Sequence, residues 1–497
     1  MLSAKSYRPW APGQSFLLPP CPLDWLPDNH LVFFMLDVVR GLDIGAIEQV
    51  VHEKDARGNR PFDPRMMVAL ILYGYCVGIA SSRKLEKATS EDVAFRVLVG
   101  GCQPDHSAIA EFRRVHHVAL GALFVQVLRL CQKAGLVKLG HAALDGTKVQ
   151  ANASKHKAMS YERMLKTEAQ LKADVEAFLK NSEETDRQED AKYGPDRRGD
   201  ELPDELARRE SRLKKIREAK EALEAEAAET RARELREQAE RAKAKAEAAS
   251  DDGKPNAEHA AQRAQQKARA ATATAKQKAE AAPARPKETG ADAMPEHHVP
   301  ATKDGSPTPK AQRNFTDPDS RIMKKGGEYV QGYNAQAVVD DAHQVILAHG
   351  VSNQPPDAEH LAPMLERLQD NCGALPQKLT ADAGYFSDAN AQRCRAKGVD
   401  AYVSVDRQRH GAPSATPRQN TEERQRMRAK LATAEGRAIY ARRKATVEPV
   451  FGQIKSARRL CRFLLRGVAK ARSEWALMCT GHNLLKLYRC GIVAPVV

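Results

Sequence analysis

The sequence predicts a mixed α/β protein, α+β overall. Three observations lead there. The first 135 residues carry apolar residues at helical spacing. Residues 311–490 alternate short apolar runs with amphipathic stretches. Between the two, one isolated strand-like run, "HAALDGT", is followed by a long segment rich in Ala, Glu, Lys, Arg and Gln. The expected division is an all-helical region at 1–135, the first strand of a core at 136–160, a helical or coiled-coil insertion with a flexible linker at 161–310, and the rest of the core at 311–490.

Taken in order, the start is Pro-rich, and a helical pattern runs from about Asn29 to Val51. Asp63-Pro64 opens a second helix, because Asp caps and Pro suits the first turn. "MMVALILYGYCVGI" is apolar nearly all round and belongs in a core. Ser81 and Ser82 are the expected caps of the next helix, and "EDVAFRVLVGG" gives another, stopped by Gly100-Gly101. "PDHSAIAEFRRVHHVALGALFVQVLRLCQKAG" reads as one long helix, capped near Asp105 or Ser107. The tight turn before "SAIAEFRR" suggests a helix-turn-helix-like, DNA-binding unit. His116 and His117 are adjacent, so they point to different faces and make poor metal ligands.

The strand at "HAALDGT" ends at Asp145 in this reading. In the insertion, Leu206, Leu213, Ile216 and Leu223 keep heptad offsets, the mark of a helical hairpin or coiled coil. Beyond Glu224 only Leu235 continues the seam, and a frayed or disordered segment is expected. His297 and His298 fall in the linker and read as solvated. From Asn314 the pattern gives a hairpin turning at Asp340–His343, a helix from Asp357, a strand ending at Asp382, a helix from Ser387, the strand "VDAYVSV", a basic Pro-containing loop at 407–420, and a last set of basic helices.

The formal net charge is +15. Between Arg393 and Glu474 there are 21 Lys or Arg against 7 Asp or Glu, so nearly the whole excess lies there. That favours a polyanion, nucleic acid first. Aromatic residues are only 5% of the chain, which argues against base stacking on many rings. The nine cysteines are scattered without a C-x-x-C pair and read as reduced thiols. No run of 18 apolar residues and no signal-peptide pattern is found, so a cytosolic protein without a membrane partner is expected.

Within that basic region, Tyr440, Lys444, Glu448 and Lys455 share one helical face. Val447, Val450, Phe451 and Ile454 form the neighbouring apolar stripe. A lone acid among basic and phenolic groups suits a phosphate and a metal ion. Asp145 and Asp382, each closing an apolar run, make the other two members of a three-carboxylate set. Phosphodiester chemistry with two hard divalent ions needs about that many acids.

The motifs "LDGTKVQANAS", "QRNFTDPDSRIMK", "QGYNAQAVVD", "TADAGYFS" and "YARRKATVEPVFGQIK" resemble those of bacterial insertion-sequence transposases of the DDE, RNase H-like superfamily. The segment from Asp63 to Arg114 resembles their N-terminal helical domain. The resemblance implies an RNase H-like core and a Mg²⁺-dependent triad of Asp145, Asp382 and Glu448, holding two ions for which Mn²⁺ can substitute. It implies cut-and-paste transposition on double-stranded DNA, in which a freed 3′-hydroxyl attacks a target, with a homodimer joining paired ends. The family's Tyr-Arg-Glu-Lys signature falls on Tyr440, a basic residue, Glu448 and Lys455. Arg443 keeps the spacing from Tyr440, and Lys444 keeps that from Glu448. On an ideal helix Arg443 lies about 140° from Glu448 and Lys444 about 40°, which favours Lys444. The rival readings are a non-catalytic DNA-bridging protein, an RNase H-like nuclease without strand transfer, and a decayed transposase copy, against which the presence of all three acids argues.

Overall fold

A computed structural model describes residues 21–53, 60–174, 204–249, 254–282, 293–405 and 420–491. The Pro-rich start, part of the linker and the basic loop up to residue 419 lie outside the described residues, as does the side chain of Leu206.

Seven helices come first: α1 (Leu31–Gly41), α2 (Gly45–His52), α3 (Pro64–Val77), α4 (Ser82–Glu91), α5 (Val93–Leu98), α6 (His106–Val115) and α7 (His117–Lys133). Asp63 caps α3 by accepting from the N–H groups of Arg65 and Met66 at 2.7 and 3.1 Å. Ser81 stands at the start of α4 without a side-chain cap bond. Two helices expected to be continuous are broken. The Asn29–Val51 pattern divides into α1 and α2 around the buried Leu42 and Ile44. The long pattern after Asp105 bends by 75° between α6 and α7. The break falls at His116, which is 3% exposed and packs its ring on Phe112. The bend lets α6 lie on α4, while the apolar face of α7 turns toward the last helix of the chain.

The strands are β1 (His141–Gln150), β2 (Ala158–Ser160), β3 (Gln312–Asn314), β4 (Arg321–Lys325), β5 (Glu328–Asp340), β6 (Ile346–Ser352), β7 (Lys378–Ala381) and β8 (Asp400–Val403). The main sheet runs β4-β5-β1-β7-β8, with β6 also on β5. β5 is antiparallel to β1 and β6, whereas β1, β7 and β8 are parallel. Antiparallel strands on one side of a central strand, parallel strands on the other, and a helical insertion after that central strand make an RNase H-like core.

The insertion holds α8 (described over 161–174), α9 (Asp204–Glu247) and α10 (Lys254–Ala281). Its heptad residues Leu213, Ile216 and Leu223 are buried against Met164 and Leu171 of α8, and against Val299 and Ala311. The seam is therefore filled from within the same chain. Past Glu224 the helix does not fray: α9 continues to Glu247 and α10 packs back along it, with Ala228, Ala232 and Ala275 buried between them. Alanine lets two helix backbones approach closely, so a segment poor in large apolar residues still forms a hairpin. The linker is ordered from residue 293. Met294 and Val299 are buried there, and the His297 N–H donates to Asn353 Oδ1 at 2.7 Å. His297 is half-buried rather than solvated, and burial pulls its pKa down to about 4.

The remaining helices are α11 (Leu361–Cys372), α12 (Asp388–Ala396), α13 (Glu422–Ala432), α14 (Ala434–Gly452) and α15 (Val468–Arg489). α14 crosses β1, β5, β7 and β8, while α15 packs against β6, α3 and α7. One continuous hydrophobic core thus joins the N-terminal helices to the sheet. At the join, Gly78 has φ +83°, and a Cβ there would lie 2.5 Å from the Arg458 carbonyl oxygen. Among the described residues no single helix is long and apolar enough to cross a membrane.

Candidate active site

The site is set by where strand pairing stops. β1 and β7 run in parallel register up to Leu144 opposite Ala381. The next residues, Asp145 and Asp382, therefore stand side by side. β7 ends there, but β1 continues to Gln150, because β5 still pairs with it. Asp145 is thus inside a strand rather than at its end as the sequence suggested, and the edge of β1 beyond it opens as a notch. Asp382 closes the turn after β7, its Oδ1 accepting the Gly384 N–H at 2.7 Å.

Side chains alternate across a sheet, so Asp145 and Thr147 face one way and Gly146 and Lys148 the other. α14 covers the Asp145 face. The predicted stripe Val447, Val450, Phe451 and Ile454 is buried. Pro449 lies within α14 and has no N–H to give the Ala445 carbonyl, which instead accepts from Gln344 Nε2 at 2.9 Å. α14 ends in a π-helical turn, Gln453–Ala457, which carries Lys455. Its ammonium donates to Thr147 Oγ1 at 2.5 Å, and burial lowers its pKa.

Arg443 is the basic side chain that reaches the acids. One guanidinium nitrogen donates to Asp145 Oδ2 at 3.0 Å, and the other lies 3.9 Å from Glu448 Oε1. Its residue is 8% exposed, whereas Lys444 points to solvent. The ideal-helix angle favoured Lys444, but it places only the Cα. The long arginine side chain curls across the helix to the buried carboxylate. Tyr440 sits one turn earlier, its ring 5.9 Å from the Arg443 guanidinium carbon. Glu448 is half-exposed at the rim.

The notch thus gathers Asp145, Asp382 and, through Arg443, Glu448. Asp145 has its pKa raised to about 6, by burial first, against the pull of Arg443, and then by the Asp382 charge. A carboxyl so placed gains from any cation that enters. Among the described residues no three His, Cys, Asp or Glu side chains close on one point as a finished metal cage. The Arg443 guanidinium stands between two of the acids, Asp145 and Glu448. A hard oxygen donor set with a displaceable cation between its members fits a divalent ion.

Two residues that the sequence did not mark as site residues complete the opposite face. Asp357, in the loop after β6, accepts on Oδ1 from Lys148 Nζ at 3.2 Å, Asn334 Nδ2 at 2.8 Å and Gln336 Nε2 at 3.2 Å. Tyr385, fully buried, donates its hydroxyl to Gln336 Oε1. The only hint in the sequence was a charged residue after "SNQPP", directly following a strand.

Comparison with known families gives two matches. The family model described as Transposase DDE domain matches residues 297–484. The one described as Transposase domain (DUF772) matches residues 21–115. The first begins beyond Asp145, which the insertion separates from the rest of the core. No curated protein and no solved structure matches the chain.

Proposed function

From a chain that belongs to the insertion-sequence transposases of the DDE class, a DNA-processing family that uses divalent metal ions, we propose a specific reaction. The protein binds the terminal inverted repeats of its element, hydrolyses the strand at each end, and joins the freed 3′-hydroxyl to target DNA. The observation that carries this is the meeting of Asp145, Asp382 and Glu448 at the notch where β1 outruns β7.

Asp145, Asp382 and Glu448 would hold two Mg²⁺ ions, which supply a polarised phosphate and an activated water or hydroxyl. The protein's own residues do the rest. Arg443, which pairs with Asp145 here, would turn its planar fork to a DNA phosphate where the acids hold the ions instead. Lys455, poised on Thr147, holds a backbone phosphate. Tyr440 positions the strand end, and Lys444 faces the DNA from the solvent side of α14. Paired ends call for two subunits, so a homodimer is the proposed working form. Its contacts lie outside the Leu213–Leu223 seam, which α8 fills.

Joining of a labelled element end to supercoiled plasmid, dependent on Mg²⁺, tests the whole reading. Cutting without joining would reduce the protein to a nuclease, and binding without either would leave only a DNA-bridging protein.

The raised Asp145 carboxyl sets a pH dependence. A proton and a divalent ion compete for it, so Mg²⁺ affinity is expected to be nearly flat above pH 7. Below about 6 it should fall by up to about tenfold per unit. Mg²⁺-induced shifts in melting temperature from pH 5 to 8 measure this. In the metal-free protein the sign differs. The folded state keeps its proton to a higher pH than the unfolded chain, so this group removes stability as pH rises from about 4 to about 6. An affinity indifferent to pH across that range would take Asp145 out of the ligand set.

A further inference from the structure

We propose that Asp357 is a fourth carboxylate of the catalytic centre, contributing to divalent-cation binding from the sheet face opposite Glu448. The proposal rests on the reading of Asp145, Asp382 and Glu448 as the metal-binding acids.

The first argument is the division of labour between its two oxygens. Oδ1 takes three donors: the Lys148 ammonium and the amides of Asn334 and Gln336. Three donors on one oxygen fix the carboxylate plane. Asn334, Gln336 and Lys148 stand on adjacent, paired strands, Asn334 opposite Lys148 and Gln336 opposite Gly146. The carboxylate is thereby mounted on the rigid centre of the sheet, although its own backbone is loop. Oδ2 is left over.

The second argument is where Oδ2 points. A Cβ built on Gly384 would lie 2.9 Å from Asp382 Oδ1 and 3.3 Å from Asp357 Oδ2. The two carboxylate oxygens therefore flank one point and are no more than about 6 Å apart. Two oxygens bound directly to one Mg²⁺ lie within about 4 Å of each other, and with one of them held through a water they lie about 6 Å apart, so the spacing allows either. A Cβ at Gly146 would lie 2.5 Å from Gln336 Nε2, 3.1 Å from Asp357 Oδ1 and 3.1 Å from the Tyr385 hydroxyl. Two glycines thus leave open the space that lets this network press against the notch, and a side chain at either would fill it.

The third argument is the electrostatic company. Asp357 and Asp382 are both among the charges that raise the Asp145 carboxyl, and Lys148 feels all three aspartates. Lys148 and Arg443 are the cations paired with these acids, one on each face of the sheet. A set of three half-buried aspartates with one glutamate at the rim holds more negative charge than two such cations offset. A divalent ion supplies the difference.

The test uses the full chain without DNA and Mn²⁺ as the probe, with free Mn²⁺ read by electron paramagnetic resonance during titration. Asp357→Asn keeps the shape and the Oδ1 acceptor but removes the charge. Mn²⁺ affinity is expected to fall about 10- to 100-fold, with Asp357→Glu recovering part of it. The double variant Asp357→Asn/Lys148→Met removes the stranded ammonium as well, and should stay weak. Recovery of wild-type affinity in the double variant would show that Asp357 serves only to neutralise Lys148, and would overturn the proposal. So would unchanged affinity in Asp357→Asn alongside a lowered melting temperature, the signature of a purely structural role. Asp382→Asn run in parallel separates the two ideas: if that variant also binds Mn²⁺ normally, the metal-site reading itself has failed.

Discussion

The Asp382→Asn protein is expected to bind element-end DNA within about threefold of wild type and to cut none of it. The change is almost isosteric. Asparagine keeps the oxygen that accepts the Gly384 N–H, so the turn after β7 holds its shape. What goes is a negative charge beside Asp145. Metal activation of a phosphoryl oxygen is worth several kcal/mol, and each 1.4 kcal/mol is about tenfold in rate, so a loss of at least about 10³-fold follows. The DNA contacts proposed for Tyr440, Arg443, Lys444 and Lys455 come from α14 and its π-helical turn, which the change does not touch. Gel shift and cleavage of end-labelled DNA measure the two properties on one preparation. Wild-type cutting by this variant would remove Asp382 from the chemistry, and loss of binding would mean that the carboxylate shapes the DNA surface.

The largest effect on stability is expected from Trp475→Ala. Trp475 is fully buried on α15, its ring beside Phe451 of α14, and its indole N–H donates to the Gln336 carbonyl oxygen at 3.0 Å. Truncation opens a cavity between helix and sheet, which costs about 3–5 kcal/mol for a buried aromatic residue. It also removes the indole hydrogen bond to the Gln336 carbonyl, for about 1 kcal/mol more. Few proteins hold that much in reserve. The variant should therefore be recovered unfolded or with a sharply lowered urea midpoint, while Trp475→Phe, which keeps most of the volume, should lose far less. Near-equal midpoints for the two would show that the ring's size is not what α15 contributes.

Much of this was legible in the sequence because apolar runs and their punctuation are local. "KLTAD" and "HAALD" each show a short buried strand with an acid after it, and the register of β1 against β7 then follows from burying both. The apolar stripe on α14 was equally visible. What escaped was decided by distant partners. The bend at His116 has no Gly or Pro to announce it; it follows from α6 and α7 having different neighbours. The alanine hairpin has a composition shared by disordered chains, and only the second helix lying against the first turns alanine into an interface. Arg443 and Lys444 stayed open in the sequence because a helical wheel gives directions for Cα atoms and none for the reach of a long side chain. The contacts of Asp357 escaped because its partners are distant in sequence: its donors come from β1 and β5, and its Oδ2 faces the turn after β7.

The placement of α15 carries a consequence for how the protein is made. All three acids of the proposed triad precede it, yet it fills the space between α3, α7 and β6. A ribosome that has already released Asp145, Asp382 and Glu448 still has the central packing element to deliver. The nascent polypeptide therefore lacks the helix that packs on β6, α3 and α7 until α15 has emerged. A premature stop codon in that stretch is expected to abolish the proposed activity while Asp145, Asp382 and Glu448 are still encoded.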